Sequence, residues 1–146
     1  MTKEMNPRMH TAEHLLNQTM VRVYHCNRCF SAHIEKKKSK CDYHFDHALT
    51  GDEVRDIESR INEIIEADIP VREEFLPREE AERLYDLERL PEVAGNDIRV
   101  IKTGDYDACP CIGPHARSTK TIGNFKITST SFNNNVLRIR FKLSQS

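Results

Sequence analysis

No segment of this 146-residue chain strings together the roughly 18 apolar residues of a membrane-spanning helix. Met1-Thr2-Lys3-Glu4 is followed by no apolar stretch, so no secretory signal is expected and the cytoplasm is the expected compartment. Repeats, low-complexity tracts and linker-like segments are missing as well. With 38% hydrophobic and 31% charged residues, the expectation is one folded domain over 1–146, long enough to bury a core. An even set of cysteines is lacking too. The five present (Cys26, Cys29, Cys41, Cys109 and Cys111) are unevenly spaced, which fits reduced or metal-bound thiols better than a disulfide framework.

Acidic side chains are absent from Ala108 to Ser146, a stretch that carries Arg117, Lys120, Lys126, Arg138, Arg140 and Lys142. Residues 46–92 show the reverse bias and carry a large acidic excess. The N-terminal third adds Lys36, Lys37, Lys38 and Lys40. If the two ends of the chain meet, they make a basic face opposite an acidic one. Such a face suits a polyanion such as RNA, held through phosphate contacts. Lys36, Lys37, Lys38, Arg117, Lys120, Arg138 and Arg140 are the candidate contact residues. The lysine run fits a solvated hairpin turn equally well.

The hydrophobic pattern predicts a first helix over 9–25 and a hairpin from strands 30–35 and 41–45. Thr50-Gly51-Asp52-Glu53 is a capping box, and behind it Val54, Ile57, Ile61, Ile64 and Ile65 recur at helical spacing, so 51–67 is an amphipathic helix. A strand is expected over 69–76, and a short helix over 79–85 with Pro77 in its first turn. Pro91 and Gly95 mark a loop before a strand over 98–102. Strands 122–129 and 136–143 form a last hairpin across Asn133-Asn134-Asn135, whose side chains tolerate positive φ. Leu137, Ile139, Phe141 and Leu143 face one way there, and Arg138, Arg140 and Lys142 the other. Phe30, Phe45, Phe125 and Phe141 read as core residues. The expected class is α+β, an antiparallel sheet packed with helices.

His10 and His14 stand four residues apart and so share one face of the first helix. Asp107-Ala108-Cys109-Pro110-Cys111-Ile112-Gly113-Pro114-His115 reads as a turn that aims Cys111 and His115 at a common point. The four residues make a tetrahedral His₃Cys donor set suited to zinc. Cys26, Cys29 and Cys41, with His44 or His47, are candidates for a second cluster, with scattered core thiols as the plainer reading.

His10-Thr11-Ala12-Glu13-His14-Leu15-Leu16 resembles the H-T-A-x-H-L-L motif of the alanyl-tRNA synthetase editing domain and its free-standing relatives, the AlaX trans-editing proteins. Cys111-Ile112-Gly113-Pro114-His115 resembles their C-G-G-T-H. Thr121-Ile122-Gly123-Asn124-Phe125-Lys126-Ile127 resembles their T-G-E-I-G-x-F-K-I, with Thr119 or Thr121 near the family threonine. Asp46 and Asn62 also sit where the family has D-F and an isoleucine/valine-Asn pair. The threonyl-tRNA synthetase editing domain shares the fold and the histidine–cysteine skeleton.

The resemblance implies an α+β editing domain and a zinc-dependent hydrolase of mischarged tRNA, typically Ser-tRNA(Ala) and sometimes Gly-tRNA(Ala). It implies that His10, His14, Cys111 and His115 hold the Zn²⁺, and that the tRNA acceptor end is the partner. Four protein ligands make a closed site, so either one ligand is loose, the metal becomes five-coordinate, or water is activated by another group. Candidates are Glu13, or a ribose hydroxyl of the substrate. Ile112 and Pro114 depart from the family glycine and threonine, and Ser31-Ala32-His33 matches its glycine-rich strand only faintly. His10–His14 is also literally H-x-x-E-H, the inverzincin peptidase pattern, for which Glu58, Glu63 or Glu66 would have to supply a third ligand. A third reading is an RNA-binding module stapled by zinc without catalysis. The oligomeric state is open between a monomer and a homodimer.

Overall fold

The computed structural model describes residues 6–87 and 96–144, so the loop reading of Pro91 and Gly95 lies outside the described residues. Helix α1 spans Pro7–Tyr24. It begins earlier than the apolar pattern predicts because Asn6 caps it. The Asn6 side-chain oxygen accepts from the Met9 N–H at 3.0 Å, and Pro7 occupies a position where no N–H is needed. The helix ends at His25, which takes the left-handed conformation with φ 59°.

Helix α2, Gly51–Glu66, starts on the expected capping box: Glu53 N–H donates to Thr50 Oγ1 at 3.1 Å and Thr50 N–H to Glu53 Oε1 at 2.9 Å. Ile57, Ile61 and Ile65 form its buried stripe. The strands are β1 (Ser31–Ile34), β2 (Ser39–His44), β3 (Val71–Pro77), β4 (Asp97–Thr103), β5 (Asp107–Pro110), β6 (Asn124–Asn133) and β7 (Val136–Ser144). A short helix α3, Arg78–Leu84, follows β3, so Pro77 closes the strand and caps the helix instead of lying in its first turn.

These strands make two antiparallel sheets, ordered β1-β2-β7-β6 and β3-β4-β5, where the sequence suggested one. One core cluster joins α1 (Ala12, Leu15, Leu16, Met20) and α2 to the inner face of the larger sheet (Cys41, Tyr43, Leu137, Ile139, Phe141). Ile98 and Val100 of β4 form a smaller cluster with Ala81 of α3. Helix α1 therefore touches both sheets, and that places its histidines beside β5.

The β6–β7 hairpin turns on Asn134 and Asn135, with φ of 53° and 62°. β6 runs on to Asn133, past the expected Ser129, through a register break between Ile127 and Ser129. Asn62 ties α2 to β6: its amide donates to Phe125 O at 3.0 Å and accepts from Phe125 N–H at 2.9 Å. Thr119 ties the end of α2 to the following loop, its hydroxyl donating to Ile64 O and accepting from Ile69 N–H, both at 2.8 Å. Gly123 takes φ 90°, and an added Cβ would run into the Ser144 carbonyl oxygen, so this bend into β6 requires glycine.

Phe30 is not a core residue. It is 43% exposed and stacks on His44, ring centroids 4.1 Å apart. Phe30 lies in the bend just ahead of β1, where Cys29 takes the buried position. The outward residues of β7 are Arg138, Arg140 and Lys142, as predicted, but Arg138 is committed to a two-pronged ion pair with Asp42 at 2.7 and 2.9 Å. Arg140 lies opposite Lys40, and Lys142 opposite Lys126.

Candidate metal centre

Helix α1 presents His10 and His14 one turn apart, and the loop after β5 presents Cys111 and His115. All four come together, their donor atoms within 4.8 Å of one another. Cys111 Sγ lies 3.4 Å from His10 Nε2 and 3.4 Å from His115 Nε2. The His10 and His115 rings stack at 4.5 Å, and the His14 ring meets His115 edge-on at 4.5 Å. His10 and His14 are buried, while Cys111 and His115 are half-buried. The donor set is thus closed on the helix side and accessible from the loop side.

Each imidazole is held from behind at its other nitrogen. His10 Nδ1 donates to Pro114 O at 3.2 Å. His115 Nδ1 faces Thr11 Oγ1 at 3.5 Å, and His14 Nδ1 faces Asp107 Oδ2 at 3.5 Å. A ring fixed at Nδ1 leaves Nε2 for the centre, the arrangement by which metal-ligating histidines are oriented. His14 Nδ1 and Asp107 Oδ2 have no other hydrogen-bond partner. That geometry fits a loaded site, in which His14 Nδ1–H would point at the carboxylate. Three imidazoles and one thiol are a zinc-type donor set, so the residues present fit the metal that the sequence implied.

The loop is clamped as firmly as the rings. Arg99 on β4 donates to Gly113 O at 2.8 Å and Cys111 O at 3.3 Å, and Cys111 N–H donates back to Arg99 O at 3.1 Å. Ala116 N–H donates to Thr11 Oγ1 at 2.9 Å, which fastens the loop to α1. Asp107 Oδ1 accepts from Arg28 at 2.7 Å and Gln18 at 2.8 Å. Thr11, Asp107, Arg28 and Arg99 are the residues that sequence reasoning left without a role here. Asp107 carried one weak signal, an acid just ahead of the Cys-x-x-x-His segment.

The electrostatics prepare the site for a cation. Burial works against a charged Cys111 thiolate, yet His10, His115 and His14 outweigh it and pull its pKa down to about 3. Burial also works against a charged His14, but Asp107, Cys111 and Glu13 outweigh it and raise it to about 9. His115 is lowered, by burial first and then by the other two imidazoles. In the metal-free protein at about pH 7, Cys111 is therefore already a thiolate, while His14 carries a proton that a metal must displace. Metal uptake at this pH is expected to release the His14 proton, and affinity to rise about tenfold per pH unit until about pH 9. Calorimetric titrations in buffers of different ionisation enthalpy measure that proton; no release at neutral pH would refute the assignment.

Glu13 projects beside the donor set, Oε1 3.6 Å from His10 Nε2. Its Oε2 accepts from Asn17 Nδ2 at 3.2 Å and from Cys29 Sγ at 3.5 Å. The candidate second cluster of Cys26, Cys29 and Cys41 with His44 or His47 does not assemble as a set, in line with the plainer reading for Cys26 and the two histidines. Cys26 turns back to the end of α1, its Sγ 3.7 Å from Met20 O, while His44 stacks on Phe30 and His47 pairs with Asp46 and Glu53. Cys29 and Cys41 do converge, with Glu13 as the third member. Among the RNA-contact candidates, Lys36, Lys37 and Lys38 are exposed on the β1–β2 turn. Arg117 and Lys120 stand on the segment just after the donor loop, not on the β7 face with Arg138 and Arg140.

Fold and site define a small α+β domain with a partly buried His₃Cys donor set between an N-terminal helix and a strand–loop segment. The family described as Threonyl and Alanyl tRNA synthetase second additional domain matches residues 98–140, the part that carries Cys111 and His115. The alanine–tRNA ligase of Methanopyrus kandleri is 33% identical over 144 residues, covering 95% of this chain and 16% of that protein. That of Bacillus subtilis is 36% identical over 124 residues, 84% of this chain and 14% of that protein. That of Treponema denticola is 31% identical over 145 residues, 94% of this chain and 23% of that protein. The chain spans less than a quarter of the length of these relatives. Over most of its length the chain is thus similar to one segment of alanine–tRNA ligases, and its residues 98–140 to the second additional domain of threonyl and alanyl tRNA synthetases.

Proposed function

We propose that this chain is a zinc-dependent hydrolase that deacylates mischarged tRNA in the cytoplasm, with Ser-tRNA(Ala) as first substrate and Gly-tRNA(Ala) as second. The observation that carries the reading is the meeting of His10, His14, Cys111 and His115, each imidazole oriented from behind. Zinc held by these four would supply a Lewis acid for the aminoacyl carbonyl. The chain's own residues do the rest. Glu13, pinned through Oε2, turns Oε1 to the donor set and takes the proton of the attacking water. Its charge also suits the free α-ammonium of the aminoacyl group.

Outside the loop, Glu73, Phe75, Asp97, Arg99, Ile112 and Gly113 border an open depression of about 570 Å³. Phe75 and Ile112 are more than half exposed there and offer stacking surface to the unpaired acceptor end. Arg117, Lys120, Arg140 and the Lys36–Lys38 turn supply phosphate contacts, and Arg138 contributes less because Asp42 already holds it.

The test is a panel of Ser-tRNA(Ala), Gly-tRNA(Ala), Ala-tRNA(Ala) and Ser-tRNA(Thr) incubated with the metal-loaded chain. Release of serine from Ser-tRNA(Ala), with Ala-tRNA(Ala) spared, is the expected result. Release from Ser-tRNA(Thr) instead would move the substrate to the threonine system. Retained RNA binding with no cleavage of any species would leave a zinc-stapled RNA-binding module.

A further inference from the structure

Behind the first donor set, α1 turns Glu13 and Asn17 towards the inner face of β2. Cys29, just ahead of β1, and Cys41, on β2, meet Glu13 there. Cys29 is 2% exposed, Cys41 0% and Glu13 7%. Their donor atoms lie within 4.8 Å of one another. A carboxylate and two thiols form a costly group to bury in an apolar core, where aliphatic side chains would pack at no polar cost. Asn17 organises all of it. Its Nδ2 donates to Glu13 Oε2 at 3.2 Å, and its Oδ1 accepts from Cys29 N–H at 3.1 Å and from Tyr43 Oη at 2.7 Å.

We propose that Glu13, Cys29 and Cys41 form a second metal site, for a soft or borderline divalent cation of the zinc class. Two thiolates and one carboxylate are donors that such an ion selects, with one position left for a fourth ligand. The surrounding hydrogen bonds are already in place: Asn17 braces the carboxylate and the Cys29 backbone, as supporting residues do around metal ligands. Charge is accommodated too. Two thiolates and a carboxylate exceed a divalent ion by one negative charge, which the half-buried Arg28 guanidinium, already ion-paired to Asp107, offsets in part through its electrostatic interaction with Glu13.

Glu13 is also the boundary between the two sites, Oε2 on the thiol side and Oε1 3.6 Å from His10 Nε2. A metal on Oε2 would hold Glu13 in the orientation its proton-accepting role requires.

The test is metal stoichiometry on the full chain, stripped with a chelator and reloaded with cadmium. Two equivalents per chain are expected, with two ¹¹³Cd resonances, the one from the two-sulfur site further downfield. The Cys29→Ser/Cys41→Ser double variant, checked for folding by its melting transition, is expected to fall to one equivalent and lose the downfield line. The Cys111→Ala/His115→Ala variant is expected to keep it. One equivalent and one resonance in the folded wild type would overturn the proposal, as would an intact mass showing a Cys29–Cys41 disulfide. If the serine variant does not fold, the two wild-type resonances decide the matter alone.

Discussion

Cys111→Ala is expected to empty the His10–His14 site and, with it, to abolish aminoacyl ester cleavage. The thiolate is the one anionic donor of the set and lies 3.4 Å from two of the three imidazoles. Without it, the donor set is three imidazoles with no anionic ligand among them. Losing a hydrogen-bond partner behind a ligand typically costs about 10–100-fold in metal affinity or activity. Losing the ligand itself is expected to cost more than about 100-fold in both. His115→Ala is expected to act in the same direction, with an added loss of its ring stacking on His10. The readings are the ¹¹³Cd line of the one-sulfur site and single-turnover deacylation. An alanine variant that keeps both would remove Cys111 from the centre. Because Cys111 is half-buried and its backbone N–H to Arg99 O bond is untouched, the variant should stay folded.

Asp107→Asn is expected to damage stability and metal affinity together. Asp107 is buried with Arg28 on one oxygen and His14 facing the other. Desolvation opposes its charge, but His14 and Arg28 outweigh this and hold its pKa well below the usual carboxylate range. The carboxamide keeps the shape and removes the charge, so Arg28 is left without its counter-ion. Removing one partner of such a buried pair costs about 3 kcal/mol. The sign with pH follows. A lowered carboxyl pKa stabilises the fold above the unfolded value and is lost as pH falls through the native one. The variant should therefore lose most stability near neutrality and little in strong acid. Metal affinity should drop by about 10–100-fold, because His14 loses the group that orients it. Chemical denaturation with metal absent, then metal titration, separates the two effects. A variant as stable as wild type near neutral pH would show that Arg28 and His14 do not depend on Asp107.

Much of this could be read from residue order. The capping box fixed the start of α2, the His-x-x-x-His spacing needed only a helix, and the Asn-rich turn marked the β6–β7 hairpin. Each is a local signal satisfied by local hydrogen bonds. β5 was not legible, because Asp107-Ala108-Cys109-Pro110 has no apolar alternation and ends in proline. It pairs only as an edge strand, where proline at the end is tolerated. Asp107 could not be given a role for a related reason: Gln18 and Arg28, which share its Oδ1, lie 89 and 79 residues away in sequence. The far end of β6, Thr130 to Asn133, lay beyond a register break that period-two reading cannot follow. Cys26 and Cys29 looked like a pair. The left-handed turn at His25 sends the first back to the helix and the second into the core.

The separation of the two halves of the centre carries its own consequence. His10 and Cys111 are 101 residues apart in the chain and 3.4 Å apart in space. A clip that closes so long a loop gains most from the chain's lost freedom, since closure entropy grows with the logarithm of loop length. Metal bound there would work as a latch between the N-terminal helix and the β3-β4-β5 sheet. With the latch open, that seam would rest on direct contacts alone, among them Gln18 to Asp107 and Ala116 N–H to Thr11 Oγ1. Metal supply would then govern how much of the chain is held together, apart from any part it plays in the proposed chemistry.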